Sequence, residues 1–417
     1  MAHPALGGIG RAFSNRNYRV FTVGSALSQI GGWVQRAAAG WLAWEITHDP
    51  FWVGIVASGD LLPAVISSPF AGVLADRHNR VRLLVILQAL LLVHAVVTAA
   101  LSFAGLLSIE TLLALTVVLG VFTGFNHPAR QSIITSLVRR EDLSAAVAMS
   151  SVLFNVTRIV GPSIAGFLIH FGEAGAAFGF VALTYGAMLV SLALVRLADE
   201  APPPRVATSV FTDILAGYRY AFRHRGIGPM LILSLAAAFL LRPVLELLPA
   251  FVGKIYEGGA DLFGLMMAMT GIGATVSGIW LAWRGADRGL VTIAIWGSPL
   301  SVIALLGLAG SHDVWVGIGS VVLMGVSMSL RGTSVQTLMQ NAVDPQMRGR
   351  VMSLNTLIFN GGPAAGAFLL GSVASWAGLQ PPLYVAAALT LIVWLWSLRI
   401  RPQLMASFEP ESTRRNE

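Results

Sequence analysis

Long apolar stretches alternate with short polar ones along nearly the whole chain. Twelve of the apolar stretches reach the roughly 20 residues that a helix needs to cross the hydrocarbon core of a bilayer. The polar stretches between them carry most of the charged side chains. We therefore predict an all-α membrane protein with twelve transmembrane helices, at residues 18–46, 52–75, 82–105, 109–138, 144–171, 176–197, 228–254, 261–283, 290–310, 313–340, 349–376 and 381–400.

Composition supports this interpretation and excludes several classes of protein. Only 11% of the 417 residues are charged, against about 25% in soluble domains. Because most of the chain lies within lipid, the net charge of +7 does not indicate a nucleic-acid partner. There is no cysteine, which rules out disulfides and thiolate ligands. The first residues lack an apolar run with a cleavage site, so we expect no cleavable signal peptide.

Arginines mark every second loop, which predicts the orientation of the chain. They precede the first predicted helix and follow the second, fourth, sixth, eighth, tenth and twelfth, while the alternate loops are nearly bare of positive charge. Since cytoplasmic loops carry the excess of basic residues, both termini are predicted to be cytoplasmic. Arginine is abundant and Lys254 is the sole lysine, a bias typical of bacteria with GC-rich genomes. We therefore predict a multi-pass protein of the bacterial inner membrane.

The two halves of the chain repeat each other. Gln131 and Gln336 are 205 residues apart, as are Phe154 and Phe359, and Arg36 and Arg242 are separated by 206. The sequence therefore predicts two pseudo-symmetric six-helix bundles. Their bounds are 1–197 for the first bundle, 198–227 for a cytoplasmic linker with a possible amphipathic helix at 211–225, 228–401 for the second bundle and 402–417 for a cytoplasmic tail.

Charged residues within predicted helices are costly, at about 2.5–3.5 kcal/mol each, and usually mark a pathway for substrate or ions. From the helix ends, Arg36 and Asp60 lie about 15 and 12 Å below the outer surface, so we predict that they pair. Glu246 lies one turn from Arg242, which suggests a second pair. Asp60 and Glu246 are the candidates for proton coupling, although both pairs could equally serve only to neutralise charge for folding.

Polar side chains follow one face of several helices and define candidates for a substrate cavity. They recur at steps of three or four residues, and the arginines could either bind a ligand or form structural pairs. No metal-ligand spacing, phosphate loop, nucleophile triad or pair of catalytic carboxylates is found, so we predict neither an enzyme nor a cofactor or metal site. The cavity candidates are Gln29, Arg36, Asn126, Arg130, Arg242 and Arg331.

The loop after the second helix resembles a known family signature. The pattern Gly-x-Leu-Ala-Asp-Arg-x-x-Arg, here Gly72 to Arg80, is similar to the signature loop of the major facilitator superfamily. The resemblance implies a two-bundle transporter fold in which helices 1, 4, 7 and 10 line a central cavity and helices 3, 6, 9 and 12 face lipid. It also implies that Gly72, Asp76, Arg77 and Arg80 help to lock and release the two halves.

The fifth helix resembles the antiporter motif of exporters in this superfamily. The matching residues are Asn155, Arg158, Gly161, Pro162 and Gly166, in a segment with fewer glycines than the family pattern. Segments 33–36 and 125–131 resemble the bacterial exporter branch that includes the enterobactin exporter and macrolide efflux pumps. The resemblance implies a transporter, expected as a monomer, that exports an amphipathic small molecule in exchange for protons. An importer or a lipid or organic-anion transporter on the same fold, and a non-transporting membrane receptor, are the alternatives.

Overall fold

The computed structural model describes residues 11, 13–77, 79–195, 218–285 and 289–408, and the regular structure within these ranges is helical. Among the described residues, a 3₁₀ turn at Arg140–Asp142 precedes the long fifth helix. The α-helices are α1 Arg16–Thr47, α2 Pro50–Arg77, α3 Arg80–Phe103, α4 Ile109–Leu137, α5 Leu143–Leu194, α6 Ile227–Leu240, α7 Arg242–Glu246, α8 Leu248–Lys254, α9 Ala260–Arg284, α10 Leu290–Gly310, α11 Val314–Ala342, α12 Pro345–Ala377 and α13 Gln380–Phe408.

The helices confirm the predicted membrane architecture. Within the described part of the chain, ten helices are long and apolar enough to cross a membrane. One of them, α5, contains non-helical backbone at Gly172 and Glu173 and therefore accounts for two predicted spans. The 32-residue helix α1 corresponds to the first predicted span. The predicted twelve helices are thus all present.

The seventh predicted span differs from the prediction, because it is broken into the three helices α6, α7 and α8. Leu241 and Leu247 separate these helices, and Pro243 and Pro249 lie in the first turns of α7 and α8. A proline lacks the amide hydrogen that a continuous helix needs and is tolerated at a helix start. The break places Arg242 at the beginning of a short helix rather than within a straight one.

Large apolar side chains cover the outside of the helices. Ile66, Leu183 and Ile392 are 65%, 74% and 60% exposed, respectively. Exposed apolar surface on this scale is unfavourable in water and is the surface that lipid chains contact. It therefore agrees with the helix lengths in indicating a multi-pass membrane protein.

Contacts divide the chain into two units that exchange short segments. The first unit is Met1–Thr47, Gly59–Ala207 and Gly258–Ala268, and the second is His48–Ser58, Thr208–Glu257 and Met269–Glu417, each considered over its described residues. The start of α2 therefore packs in the second unit, and the start of α9 packs in the first.

Each exchanged segment meets its unit at a crossing of two glycines. In the second unit, a Cβ at Gly54 would collide with the backbone of α12 beside Gly371. In the first unit, a Cβ at Gly166 would lie 2.9 Å from the Cα of Gly264. Small residues allow helix backbones to approach closely, and the Ser58 hydroxyl donates a 2.8 Å hydrogen bond to the Ala364 carbonyl at the first crossing.

The backbone of the predicted signature loop is described except at residue 78. Helix α2 continues through the loop to Arg77, and Asn79 caps α3 by accepting hydrogen bonds from the amides of Val81 and Arg82 at 3.0 and 3.1 Å. The side chains of the predicted gating residues lie outside the described part of the chain, so their role remains a prediction. These residues are Gly72, Asp76, Arg77 and Arg80.

Two further segments extend or limit the predicted boundaries. Most of the predicted linker, including Phe211 and Leu215, lies outside the described residues. Residues 218–223 are helical, and the exposed rings of Tyr218 and Phe222 have centroids 4.4 Å apart. Helix α13 continues to Phe408, beyond the predicted span end at 400.

Candidate functional site

Arg36 and Asp60 form a buried ion pair in the first unit. Arg36 Nε and Nη2 each lie 2.6 Å from Asp60 Oδ2. The Asp60 side chain is 4% exposed and that of Arg36 is 29% exposed. Asp60 Oδ1 has no hydrogen-bond partner among the described residues. The predicted pairing is therefore confirmed, and one carboxylate oxygen is left without a donor.

The close packing of α4 on α2 fixes the backbone that carries Asp60. A Cβ at Gly120 would collide with the Asp60 carbonyl oxygen, and one at Gly124 would lie within 2.9 Å of Ala64. These two glycines, four residues apart, form the kind of small-residue face that lets membrane helices touch. Asp60 consequently has little freedom to move away from Arg36 along its own helix.

The antiporter-like segment contacts this pair through Trp33. The Cζ atom of Arg36 lies 5.3 Å from the centroid of the Trp33 ring, within the range of a cation–π interaction. Phe154 of α5 meets the same indole edge-on, with 5.8 Å between centroids. Gly161 gives α5 room for the Trp33 Cβ, because a Cβ at position 161 would overlap it. The predicted exporter segment 33–36 and the antiporter-like segment therefore meet at Trp33.

A second polar group in this unit was missed by the sequence analysis. Gln88 is 1% exposed, although it lies on the third helix, which was expected to face lipid. Its Nε2 donates to the Ser28 hydroxyl at 3.3 Å, and its Oε1 accepts from Asn126 Nδ2 at 3.4 Å. Helix 3 therefore also carries a buried polar side chain on the face that packs inside the first unit, which the sequence analysis did not predict. The sequence did contain a signal for this buried group, because Gln88 is a polar amide within the uncharged, mainly apolar run 83–107.

Other predicted candidates in the first unit make local bonds or remain untested. Gln29 donates to the Ser25 carbonyl at 3.2 Å, and Asn155 donates to the Ser151 carbonyl at 2.9 Å, each within its own helix. Arg130 and Arg158 are partly buried on α4 and α5. Their predicted roles, and those of Pro162 and Gly166 in coupling, remain predictions.

A pocket in the second unit brings Arg242 and Arg331 together. Its cavity volume is about 110 Å³. Arg242 Nη1 lies 3.4 Å from the Phe359 carbonyl oxygen, and its Cζ is 4.5 Å from the centroid of the Phe359 ring. Glu246 is partly buried one turn along α7, and its predicted pairing with Arg242 remains a prediction. The residues lining the pocket are Ser234, Ala237, Ala238, Arg242, Met328, Arg331, Gly332, Val335, Gln336, Asn355 and Phe359.

The internal repeat extends to this geometry. Arg242 and Phe359 correspond in the repeat to Arg36 and Phe154. In the first unit, Arg36 contacts the Trp33 ring, which in turn contacts Phe154. In the second unit, Arg242 contacts the Phe359 ring directly. The same pair of helix positions is thus used twice, with different neighbours.

A family model described as "Transmembrane secretion effector", within the major facilitator superfamily, matches residues 11–416. The chain belongs to this family. The superfamily that the signature loop indicated is therefore confirmed. As a transmembrane secretion effector, the protein is a membrane transporter for a small molecule and not an enzyme.

Two characterised relatives resemble this transmembrane secretion effector over most of their length. The staphyloferrin A transporter of Staphylococcus aureus is 26% identical over 338 residues, which is 81% of this chain and 84% of the relative. The enterobactin exporter EntS of Shigella flexneri is 26% identical over 384 residues, which is 87% of this chain and 88% of the relative.

Solved structures confirm the fold of this transmembrane secretion effector. The nucleoside transporter NupG superimposes with a TM-score of 0.71 at 12% identity, covering 92% of this chain and 99% of NupG. A bacterial homologue of the iron transporter ferroportin gives a TM-score of 0.69 at 19% identity, covering 93% and 98%. The predicted two-bundle, twelve-helix class is thus confirmed, and at these identities the likeness concerns the fold alone.

Proposed function

We propose that this protein is a secondary active exporter of an amphipathic small molecule and works as a proton antiporter by alternating access. It would act as a monomer in the bacterial inner membrane with both termini in the cytoplasm. The substrate is expected to be siderophore-like or drug-like, and the names of the relatives support the first of these and, for the enterobactin exporter, the outward direction. The antiporter-like segment around Gly161 and Pro162 supports exchange.

The observation that carries the proposal is the buried pair of Arg36 and Asp60. A carboxylate that is 4% exposed remains ionised only while a positive charge compensates it. While Asp60 is ionised beside Arg36, its free oxygen can accept a hydrogen bond from a donor group of the substrate, and this bond keeps the proton off Asp60. When the substrate leaves, Asp60 takes a proton, which removes the acceptor that the substrate needs.

The unpartnered oxygen of Asp60 suits this cycle. Both contacts from Arg36 fall on Oδ2, while Oδ1 has no donor among the described residues. Oδ1 is therefore the atom at which a proton binds without first displacing the guanidinium. Substrate and proton then compete for Asp60, which is the link that an antiporter requires.

The direction of transport is tested by comparing metabolites in cells and medium. A strain lacking the gene should accumulate the substrate inside and lose it from the medium, and expression of the wild-type gene should restore export. Expression of the Asp60→Asn variant should fail to restore it at normal membrane abundance. Depletion of a compound from the cells of the deletion strain, with accumulation in its medium, would identify an importer and contradict the proposal.

A further inference from the structure

The two arginine sites of this protein differ in their counter-charges. In the first unit, Arg36 is held by Asp60 at 2.6 Å. In the second unit, no Asp or Glu is among the described residues that line the pocket with Arg242 and Arg331. Although the halves repeat each other, only the first site has a carboxylate bonded to an arginine among the contacts described, and the lining of the second pocket has none.

Arg331 is the buried charge of the second pocket that lacks a counter-charge among the described residues lining it. It is 4% exposed, and its Nη2 atom has no hydrogen-bond partner among the described residues. An arginine remains protonated in proteins, and burying a charge without a partner is strongly unfavourable. Ionisable groups retained at such a cost within a membrane usually serve a function. A ligand with a negative charge in the pocket that Arg331 lines would compensate this charge.

Arg331 reaches the pocket from α11 at a point where this helix lies against α10. A Cβ at Gly297 would lie 3.4 Å from the Arg331 Cβ and 3.4 Å from the Ser327 carbonyl oxygen, which is ordinary van der Waals contact. The guanidinium of Arg331 carries a planar fork of donors, which matches the two oxygens of a carboxylate.

The remaining walls of the pocket define the rest of the ligand. Gln336 and Asn355 offer uncharged hydrogen-bonding groups, while Met328, Val335 and Phe359 offer apolar surface. Arg242 lies over the Phe359 ring, 4.5 Å from its centroid. If Glu246, one turn along α7, pairs with Arg242 as predicted, the charge of Arg331 remains for the ligand.

We propose that the pocket of the second unit binds the oxyanion of an amphipathic ligand, with Arg331 as its main partner and Phe359 against its apolar body. The proposal rests on the proposed function in taking the ligand to be the transported substrate. It assigns different tasks to the two halves, because Arg331 recognises the anion while the Arg36–Asp60 pair handles the proton.

Binding to the purified full-length protein in detergent tests this assignment without requiring transport. The probes are radiolabelled naphthoate, which carries a carboxylate, and naphthamide, which has the same ring system without the charge. The wild type should bind naphthoate about tenfold or more tightly than naphthamide, as expected for a hydrogen bond to a charged group. The Arg331→Met variant should lose this preference and retain the affinity for naphthamide.

Two further variants keep the test decisive. Arg223→Met removes the same charge from an exposed position on the cytoplasmic side of the predicted topology and should bind both probes as the wild type does. Arg331→Lys keeps the charge but loses the planar fork, so it should weaken naphthoate binding several-fold and leave naphthamide unchanged. Wild-type naphthoate affinity in a folded Arg331→Met or Arg331→Lys variant would overturn the proposal, as would a wild type without preference.

The origin of the oxyanion and the proposed export function are separated by two additional measurements. Competition by phosphatidylglycerol that depends on Arg331 would assign the pocket to a lipid phosphate and overturn the substrate assignment. Normal export by an Arg331→Met variant that no longer binds naphthoate would also overturn it, while leaving export intact. A wild type that binds naphthoate through Arg331 but exports nothing would refute the export function alone.

Discussion

The guanidinium of Arg36 lies over the indole ring of Trp33, with 5.3 Å between the Arg36 Cζ and the ring centroid. The same tryptophan fits against Gly161 of the antiporter-like segment. The ring therefore forms a physical connection between α5 and the Arg36–Asp60 pair. Changes in α5 that move Trp33 should act on the ion pair, although no residue of the pair has been altered.

This connection predicts the effect of adding one methyl group at position 161. Gly161→Ala places a Cβ into the Trp33 Cβ and within 3.2 Å of the Ile30 carbonyl oxygen, so Trp33 must shift and Arg36 loses its aromatic support. We expect reduced export with membrane abundance near normal, measured as substrate accumulation in the medium of the deletion strain.

The matched control for this change is Gly186→Ala on the same helix. A Cβ at Gly186 meets nothing within 4 Å, so this variant should export normally. Equal export by Gly161→Ala and Gly186→Ala would show that the contact with Trp33 does not influence transport.

The glycine crossing of α2 and α12 predicts a defined loss of stability. Gly54→Ala would drive a Cβ into the Ala367 carbonyl group, and overpacking of this kind typically costs about 1–3 kcal/mol. We expect a lower melting temperature for the purified protein in detergent. Gly319→Ala, where nothing lies within 4 Å, should leave the melting temperature unchanged or raise it. Similar melting temperatures for the two variants would contradict the close crossing.

The side-chain cap of α3 by Asn79, at the end of the signature loop, predicts a change in stability when this residue is replaced. Asn79 accepts hydrogen bonds from two backbone amides of α3, and replacement of such a cap by alanine costs about 1 kcal/mol. Asn79→Ala should therefore lower the melting temperature, whereas Asn79→Asp should preserve it because aspartate caps equally well.

Asp76→Asn in the same loop should reduce transport without changing abundance. Unchanged transport kinetics in that variant would remove the predicted locking role of Asp76.

The sequence predicted the helices well and their interruptions poorly. Hydrophobic length and the alternation of arginines depend on the bilayer as a whole, so they located twelve spans and the pairing of Arg36 with Asp60. The breaks at Leu241 and Leu247 depend on how two prolines are accommodated by neighbouring helices, which a hydropathy pattern does not contain. Gln88 was overlooked for a related reason, since only packing places a single amide toward Asn126 instead of lipid.

The ion pair predicts a particular pattern of stability among three variants. Arg36→Gln leaves the buried Asp60 carboxylate without compensation, and breaking a buried pair costs up to about 3–5 kcal/mol. Because the Arg36 side chain is 29% exposed, the loss should fall at or below the lower end of that range. The double variant Arg36→Gln, Asp60→Asn should melt at a higher temperature than Arg36→Gln alone. A double variant that is less stable than Arg36→Gln would contradict the proposed charge balance.

The coupling role of Asp60 is tested most directly by proton movement in proteoliposomes. A pH-sensitive dye inside the vesicles reports protons that cross when the exported compound identified in the deletion strain is added, and its own flux is measured in parallel. We predict that the wild type couples the two fluxes and that Asp60→Asn binds the compound but moves no protons and loses the pH dependence of transport. Substrate-driven proton movement of normal size in Asp60→Asn would contradict the account.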